Sequence, residues 1–193
     1  MLKLNYIIMI LISLLLTGSV IAQDEENDMA TNQKAWMEYM TPGSMHEMMA
    51  KSVGEWKAKS TFWMTPDAEP MEMEGIATSE MIMGGRYLKT VHNGTMMGMP
   101  FEGMNLQGFD NATNKFTSVW FDNLGTGISV STGIYEAKRN SIFFTGSMVD
   151  PVSGEDIMYK QIVKFIDDNH QVFEMYTQYE GKEYKSMEVD VTR

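Results

Sequence analysis

The side chains able to do chemistry in this chain are few, and most fall between residues 83 and 122, in MGGRYLKTVHNGTMMGMPFEGMNLQGFDNATNKFTSVWFD. Arg86 offers a permanent planar cation that can clamp a ligand carboxylate with two parallel hydrogen bonds. Glu102 and Asp122 are carboxylates that a curled sheet would bring near it. They suit either an ion pair with Arg86 or the general acid and base roles that paired carboxylates play in hydrolases. His92, Met97 and Met99 are the softer donors, suited to Cu(I), and His92 is also the residue that would hold haem. Trp56, Phe101 and Trp120 supply aromatic faces for a ligand or a guanidinium. Each has a structural use as well: an ion pair or cation–π contact for Arg86 with Trp56 or Trp120, and a solvated turn for His92 beside Asn93-Gly94.

Motifs that would name a reaction are missing. The chain has no Gly-x-Ser-x-Gly elbow, no His-Glu-x-x-His pair, no glycine loop before a lysine and no calcium-loop spacing. It has no cysteine, which excludes a thiol nucleophile, a disulfide framework and a thiol-linked lipid anchor. A formal net charge of -11 disfavours nucleic acid and anionic membrane surfaces as partners. His46, near Met45 and Met49 at helical spacing, is expected to bond to backbone, and His170 to sit exposed in a turn. Methionine is abundant, with 21 in the chain, whereas leucine after residue 23 occurs only at 88, 106 and 124. Methionine therefore takes leucine's place as core filler. The pairs Met71 and Met73, Met81 and Met83, and Met97 and Met99 would each share one face of a strand, which keeps a soft-metal site open as an alternative.

The elements that must position these residues follow from the period of the pattern. Residues 1–22 carry a lysine, an apolar run and small or β-branched residues at Val20 and Ala22, the layout of an export signal cut after Ala22. The expected compartment is therefore periplasmic or secreted, with no integral membrane contact after cleavage. Residues 23–32 read as an acidic, flexible leader. Residues 33–53 read as two short helices, the second opened by a capping box from Ser44 to Glu47. Such helices can cap or flank a sheet.

From residue 54 to 193 the period changes to two. Candidate strands cover 56–64, 71–78, 86–92, 97–109, 115–122, 127–135, 141–149, 156–166, 171–179 and 182–191. The connections, among them Asn93-Gly94 and Glu180-Gly181, are too short for parallel crossovers. Ten antiparallel strands in a meander would expose two edges unless they close. The expected fold is all-β, a single antiparallel barrel, with a two-sheet sandwich as second choice. Glycines at 84, 85, 98, 103, 108, 133 and 146 would mark corners and close backbone approaches. A barrel this wide encloses more than ordinary side chains fill, and Trp56, Phe62, Phe101, Trp120, Phe144, Phe165, Phe173 and Met175 are candidates to line it.

Several short elements, taken in order, resemble a bacterial family of unknown function numbered 1579. They are Gly54-Glu55-Trp56, Met83-Gly84-Gly85-Arg86-Tyr87-Leu88, Pro100-Phe101-Glu102-Gly103 with Gly108-Phe109-Asp110 behind it, and Trp120-Phe121-Asp122, preceded by His46. The likeness runs from about residue 45 to 193 and departs mainly by methionine for leucine. It implies a lipocalin-like barrel and supplies no activity, substrate or catalytic residue. The functional expectation is thus non-catalytic binding of a small hydrophobic or amphipathic molecule, with Arg86, Trp120, Glu102, Phe101, Trp56 and Asp122 as its contacts. A structural or protein-interaction module with a filled barrel, a copper or haem protein, and an enzyme of unassigned reaction are the alternatives.

Overall fold

The computed structural model describes residues 29–193, so the expected export signal and residues 23–28 of the expected leader lie outside the described residues. The chain divides into two compact units, one ending at Thr41 and one running from Pro42 to Arg193. In the first, residues 29–40 form helix α1. It takes in residues 29–32, read above as flexible leader. Good helix formers and a Lys34–Glu38 pair one turn apart support it. The Thr41 hydroxyl donates to the Met37 carbonyl at 2.6 Å, and Pro42 cannot continue the ladder.

The second unit opens with helix α2 (Ser44–Ala50). Its cap differs from the expected box, because Ser44 is already inside the helix and Gly43 occupies the capping position. The Gly43 N–H instead donates to His46 Nδ1 at 3.0 Å, while the Gly43 carbonyl accepts from the His46 N–H at 2.9 Å. An imidazole nitrogen can accept only when unprotonated. His46 is 6% exposed, and its pKa is lowered by burial and by the charge of Arg86, against a hydrogen bond to the Phe109 backbone that raises it. Both ring nitrogens thus serve backbone groups, as expected.

Ten strands follow: β1 (Gly54–Phe62), β2 (Met71–Ile82), β3 (Tyr87–Met96), β4 (Met99–Asp110), β5 (Lys115–Asp122), β6 (Ser129–Glu136), β7 (Ser141–Val149), β8 (Asp156–Asp167), β9 (His170–Tyr179) and β10 (Lys182–Thr192). Each pairs antiparallel with the next, and β1 pairs with β10 from Lys57↔Thr192 to Phe62↔Met187, closing the barrel. Closure leaves no strand edge open to another chain.

Two boundaries differ instructively from the sequence reading. Asn93-Gly94 is not a turn: β3 runs through it, with Gly75↔Gly94 in register across β2. A Cβ on Gly75 would lie 2.5 Å from the Asn93 carbonyl oxygen, so these glycines allow two backbones to approach. The hairpin turns instead at Met97-Gly98, both at positive φ, the geometry that matches strand twist in a tight hairpin. His170 is likewise not in a turn but opens β9, with its Nε2 3.0 Å from Asp190.

Strand alternation divides the side chains cleanly. Outside, Lys59–Glu72 and Lys89–Glu80 ion pairs join neighbouring strands, and Lys160–Glu183 reaches from β8 across β9 to β10. Glu174 is buried on this outer face between Lys164, at 2.7 Å, and Lys185. Burial pushes its carboxyl up, but hydrogen bonds from Lys164 and Tyr176 and the two lysine charges outweigh that and hold it below the ordinary range. Inside, at the α2 end, Met49, Leu88, Phe116, Ile142 and Phe144 form a fully packed plug. Met45, Met48, Met81, Phe109, Tyr135, Val163 and Phe165 pack against it.

Candidate functional site

The inner face changes character away from the α2 end. Register from Trp56↔Ala77↔His92↔Gly103↔Asp122 puts these five residues on one inward-facing row. His92 therefore points into the barrel rather than standing in a solvated turn. Its ring meets Trp120 edge-on with centroids 5.2 Å apart, and Phe101 also stacks on Trp120, at 6.5 Å and 21°. Gly103 makes room for this group, since a Cβ there would lie 2.6 Å from the Trp120 ring. Desolvation lowers the His92 pKa to about 4, and among the described residues no hydrogen-bonding group partners it. A neutral imidazole keeps one N–H donor and one nitrogen acceptor, so His92 presents both to the lumen.

Around it runs a belt of uncharged polar groups. Ser79 and Thr90 share a 2.8 Å hydrogen bond, Asn105 Nδ2 donates to Ser118 Oγ at 2.6 Å, and Ser131 Oγ donates to Gln161 Oε1 at 3.3 Å. Burial raises the Tyr159 phenol, while hydrogen bonds to Ser131 and Ser129 act in the opposite sense. A buried belt of this kind is stable because its members satisfy one another. Sequence reasoning passed over it. The available signal was phase: Asn105, Ser118 and Gln161 alternate in step with Phe101, Trp120 and Val163.

The opposite wall is apolar and partly exposed, although it faces inward. Phe173, Met175, Met187, Val189 and Val191 on β9 and β10 all keep some solvent contact. Beyond them, at the end away from α2, a cleft of about 310 Å³ is lined by Phe62, Met71, Glu72, Met73, Met96 and Met97. A second groove, of about 470 Å³, lies at the α2 end against Met45, Phe109 and Tyr135.

The residues singled out from sequence separate into those brought together here and those placed elsewhere. Phe101, Trp120 and Asp122 are together, with Asp122 accepting from Trp120 Nε1 at 2.8 Å and from the Leu124 N–H at 2.9 Å. Glu102, between inward Phe101 and Gly103, points outward and is exposed. Arg86 lies not in β3 but in the β2–β3 turn, exposed, donating to the Met83 and Gly84 carbonyls. Six residues along the strand separate it from His92, about 20 Å, so the expected pairing with Glu102 or Asp122 beside Trp120 is not formed. Trp56 is 2% exposed; its Nε1 donates to the Ser52 carbonyl at 2.9 Å, and the guanidinium of Arg193, not Arg86, lies 4.3 Å over its ring. Met97 and Met99 sit at the hairpin turn, several residues up the strand from His92, so those three donors do not converge. Among the described residues, no group of three or more histidines and carboxylates could hold a metal.

A closed ten-strand meander capped by a short helix defines a lipocalin-like barrel. The chain belongs to the family described as "Protein of unknown function (DUF1579)", whose model matches residues 41–193. No curated protein matches the sequence. Among solved structures, it is similar to Rv2717c from M. tuberculosis, at 12% identity and a TM-score of 0.59, over 79% of this chain and 99% of that one. It is also similar to the S-type phycobiliprotein lyase CPES from Guillardia theta, at 10% identity and a TM-score of 0.57, over 81% of this chain and 95% of that one. These likenesses establish the fold alone.

Proposed function

We propose that the protein binds a small hydrophobic or amphipathic molecule, without catalysis, in the half of the barrel away from α2. One observation carries this reading: side chains that face inward in a closed barrel are left partly exposed there, beside a half-buried His92 with no hydrogen-bonding partner among the described residues. Elsewhere in the same lumen the packing is complete, so the open half is not a general looseness of the fold. An apolar wall facing a few convergent polar groups is the arrangement expected of a small-molecule site. The N-terminal residues support a second element of the proposal, that the protein acts after export with residues 1–22 removed.

Native mass spectrometry of protein isolated from its own cells tests both. The expected spectrum shows a chain beginning at Gln23 and a bound species released by organic extraction. Adding the extract back should raise the melting temperature of the emptied protein. A chain that arrives empty, and that no extract stabilises, would instead favour an interaction module. The observation on that side is an exposed apolar strip on the outer face, at Phe121, Ile128, Val130 and Ile134.

A further inference from the structure

If the open half is a ligand chamber, the charges around it constrain what can occupy it. Among the residues that strand alternation turns inward, from β1 to β10, there is no arginine, and the one lysine is Lys182, paired with Tyr179 and exposed at the β9–β10 hairpin rather than held inside the lumen. The barrel strands are not poor in cations: Lys57, Lys59, Lys89, Lys160, Lys164 and Lys185 all fall on the outer face, several in ion pairs. Arg86 is in a turn at the α2 end, and Arg193 is held over Trp56 by the Val53, Lys51 and Asp168 carbonyls. The single inward carboxylate, Asp122, already accepts from the Trp120 indole and the Leu124 backbone.

We infer that this chamber selects uncharged amphiphiles, molecules with an apolar body and a hydroxyl, carbonyl or amide group, and rejects anionic ones of the same shape. The inference rests on the chamber reading above and names its ligand class. A carboxylate or phosphate passing Lys182 into the lumen would leave water without meeting a buried counter-charge, and would face Asp122. A hydroxyl or carbonyl meets what the belt offers. His92 contributes one donor and one acceptor, and the Asn105–Ser118 and Ser131–Gln161 groups lie along the same inner surface. The lowered pKa of His92 is consistent with this, because the imidazole stays neutral and supplies no charge to an anion. A hydrogen-bonding site of this kind discriminates strongly against a ligand that cannot match it.

The test is displacement of Nile red, a neutral dye, from the full barrel at pH 7.5 by three eight-carbon amphiphiles: 1-octanol, octanoate and octylammonium. 1-Octanol should displace the dye, octanoate should be at least a hundredfold weaker, and octylammonium weaker than 1-octanol. Substituting His92→Leu should weaken 1-octanol about tenfold while leaving n-octane unchanged, which separates a lost hydrogen bond from a damaged fold. Octanoate equal to 1-octanol overturns the selectivity, as does octylammonium binding more tightly than 1-octanol and losing that advantage in Asp122→Asn. If the dye binds nowhere and none of these molecules, n-octane included, raises the melting temperature, the chamber itself is refuted, and the selectivity with it.

Discussion

The two halves of the barrel lumen are built by the same strands and differ in almost everything else. Near α2, β3 contributes Leu88, β5 contributes Phe116 and β7 contributes Ile142 and Phe144, all buried together with Met49. Farther along, the same β3 and β5 contribute Thr90, His92, Ser118 and Trp120, and the facing wall of β9 and β10 stays partly open. The packed half can carry the stability of the closed sheet, since burying aromatic and aliphatic side chains is the dominant favourable term. The other half is then free to hold groups that a core would not choose. An unpartnered imidazole is tolerable only where it costs less than the plug returns.

The largest effect separating the halves should come from the plug. Phe144→Ala removes a fully buried ring and is expected to lower unfolding free energy by about 3–5 kcal/mol in denaturant titrations. Phe173→Ala in the open half should cost less than half of that, because the ring is already partly hydrated and no sealed cavity forms. Equal losses would mean that the two halves are packed alike.

Acid should expose the next difference. The folded pKa of His92 is about 4 against an ordinary 6.5, so between those values the unfolded chain takes up a proton that the folded chain refuses. Stability from this group is therefore complete above pH 6.5 and is lost as pH falls toward 4, by at most about 3 kcal/mol. His92→Gln should flatten the profile in this window relative to the parent. His46, whose pKa is also lowered, contributes the same sign to both proteins and cancels in the difference.

A third comparison uses the outer face as a control. Glu174→Gln leaves Lys164 and Lys185 facing each other across β9 and should cost about 1–2 kcal/mol, reduced by the solvent around both lysines. Dye binding in the lumen should not change. The smallest effect is expected from replacing Met71, Met73 or Met96 by leucine at the open mouth, less than about 1.5 kcal/mol each by thermal or chemical unfolding, since volume is nearly conserved. A larger loss would assign these thioethers a role beyond filling space.

Much of the architecture was legible in the chain, for reasons visible in particular residues. Period-two alternation and short turns are local signals, and they gave ten strands and a closed meander. All eight apolar residues expected to line the lumen do face inward, because side-chain phase along a strand is also local. The site was less legible because it depends on where along its strand each residue falls. Arg86 looked like a strand residue beside Gly84-Gly85, yet it belongs to the turn those positive-φ glycines make. Asn93-Gly94 mimics a hairpin turn, and only the close approach of Gly75 across β2 explains glycine there. That misreading moved His92 from the lumen to the surface. The belt of serines, Asn105 and Gln161 was overlooked because small polar residues in strands resemble solvent-facing positions until pairing shows which face they occupy.

The distribution of the 21 methionines offers the most direct measurement of the account, since they probe both halves of one lumen. With methionine methyl groups labelled for NMR, 1-octanol titrated into the full barrel should shift Met73, Met175 and Met187 progressively, and leave Met45, Met48, Met49 and Met81 in place. Shifts centred on the plug and α2, or none on either set at saturating 1-octanol, would contradict the assignment of ligand binding to the open half.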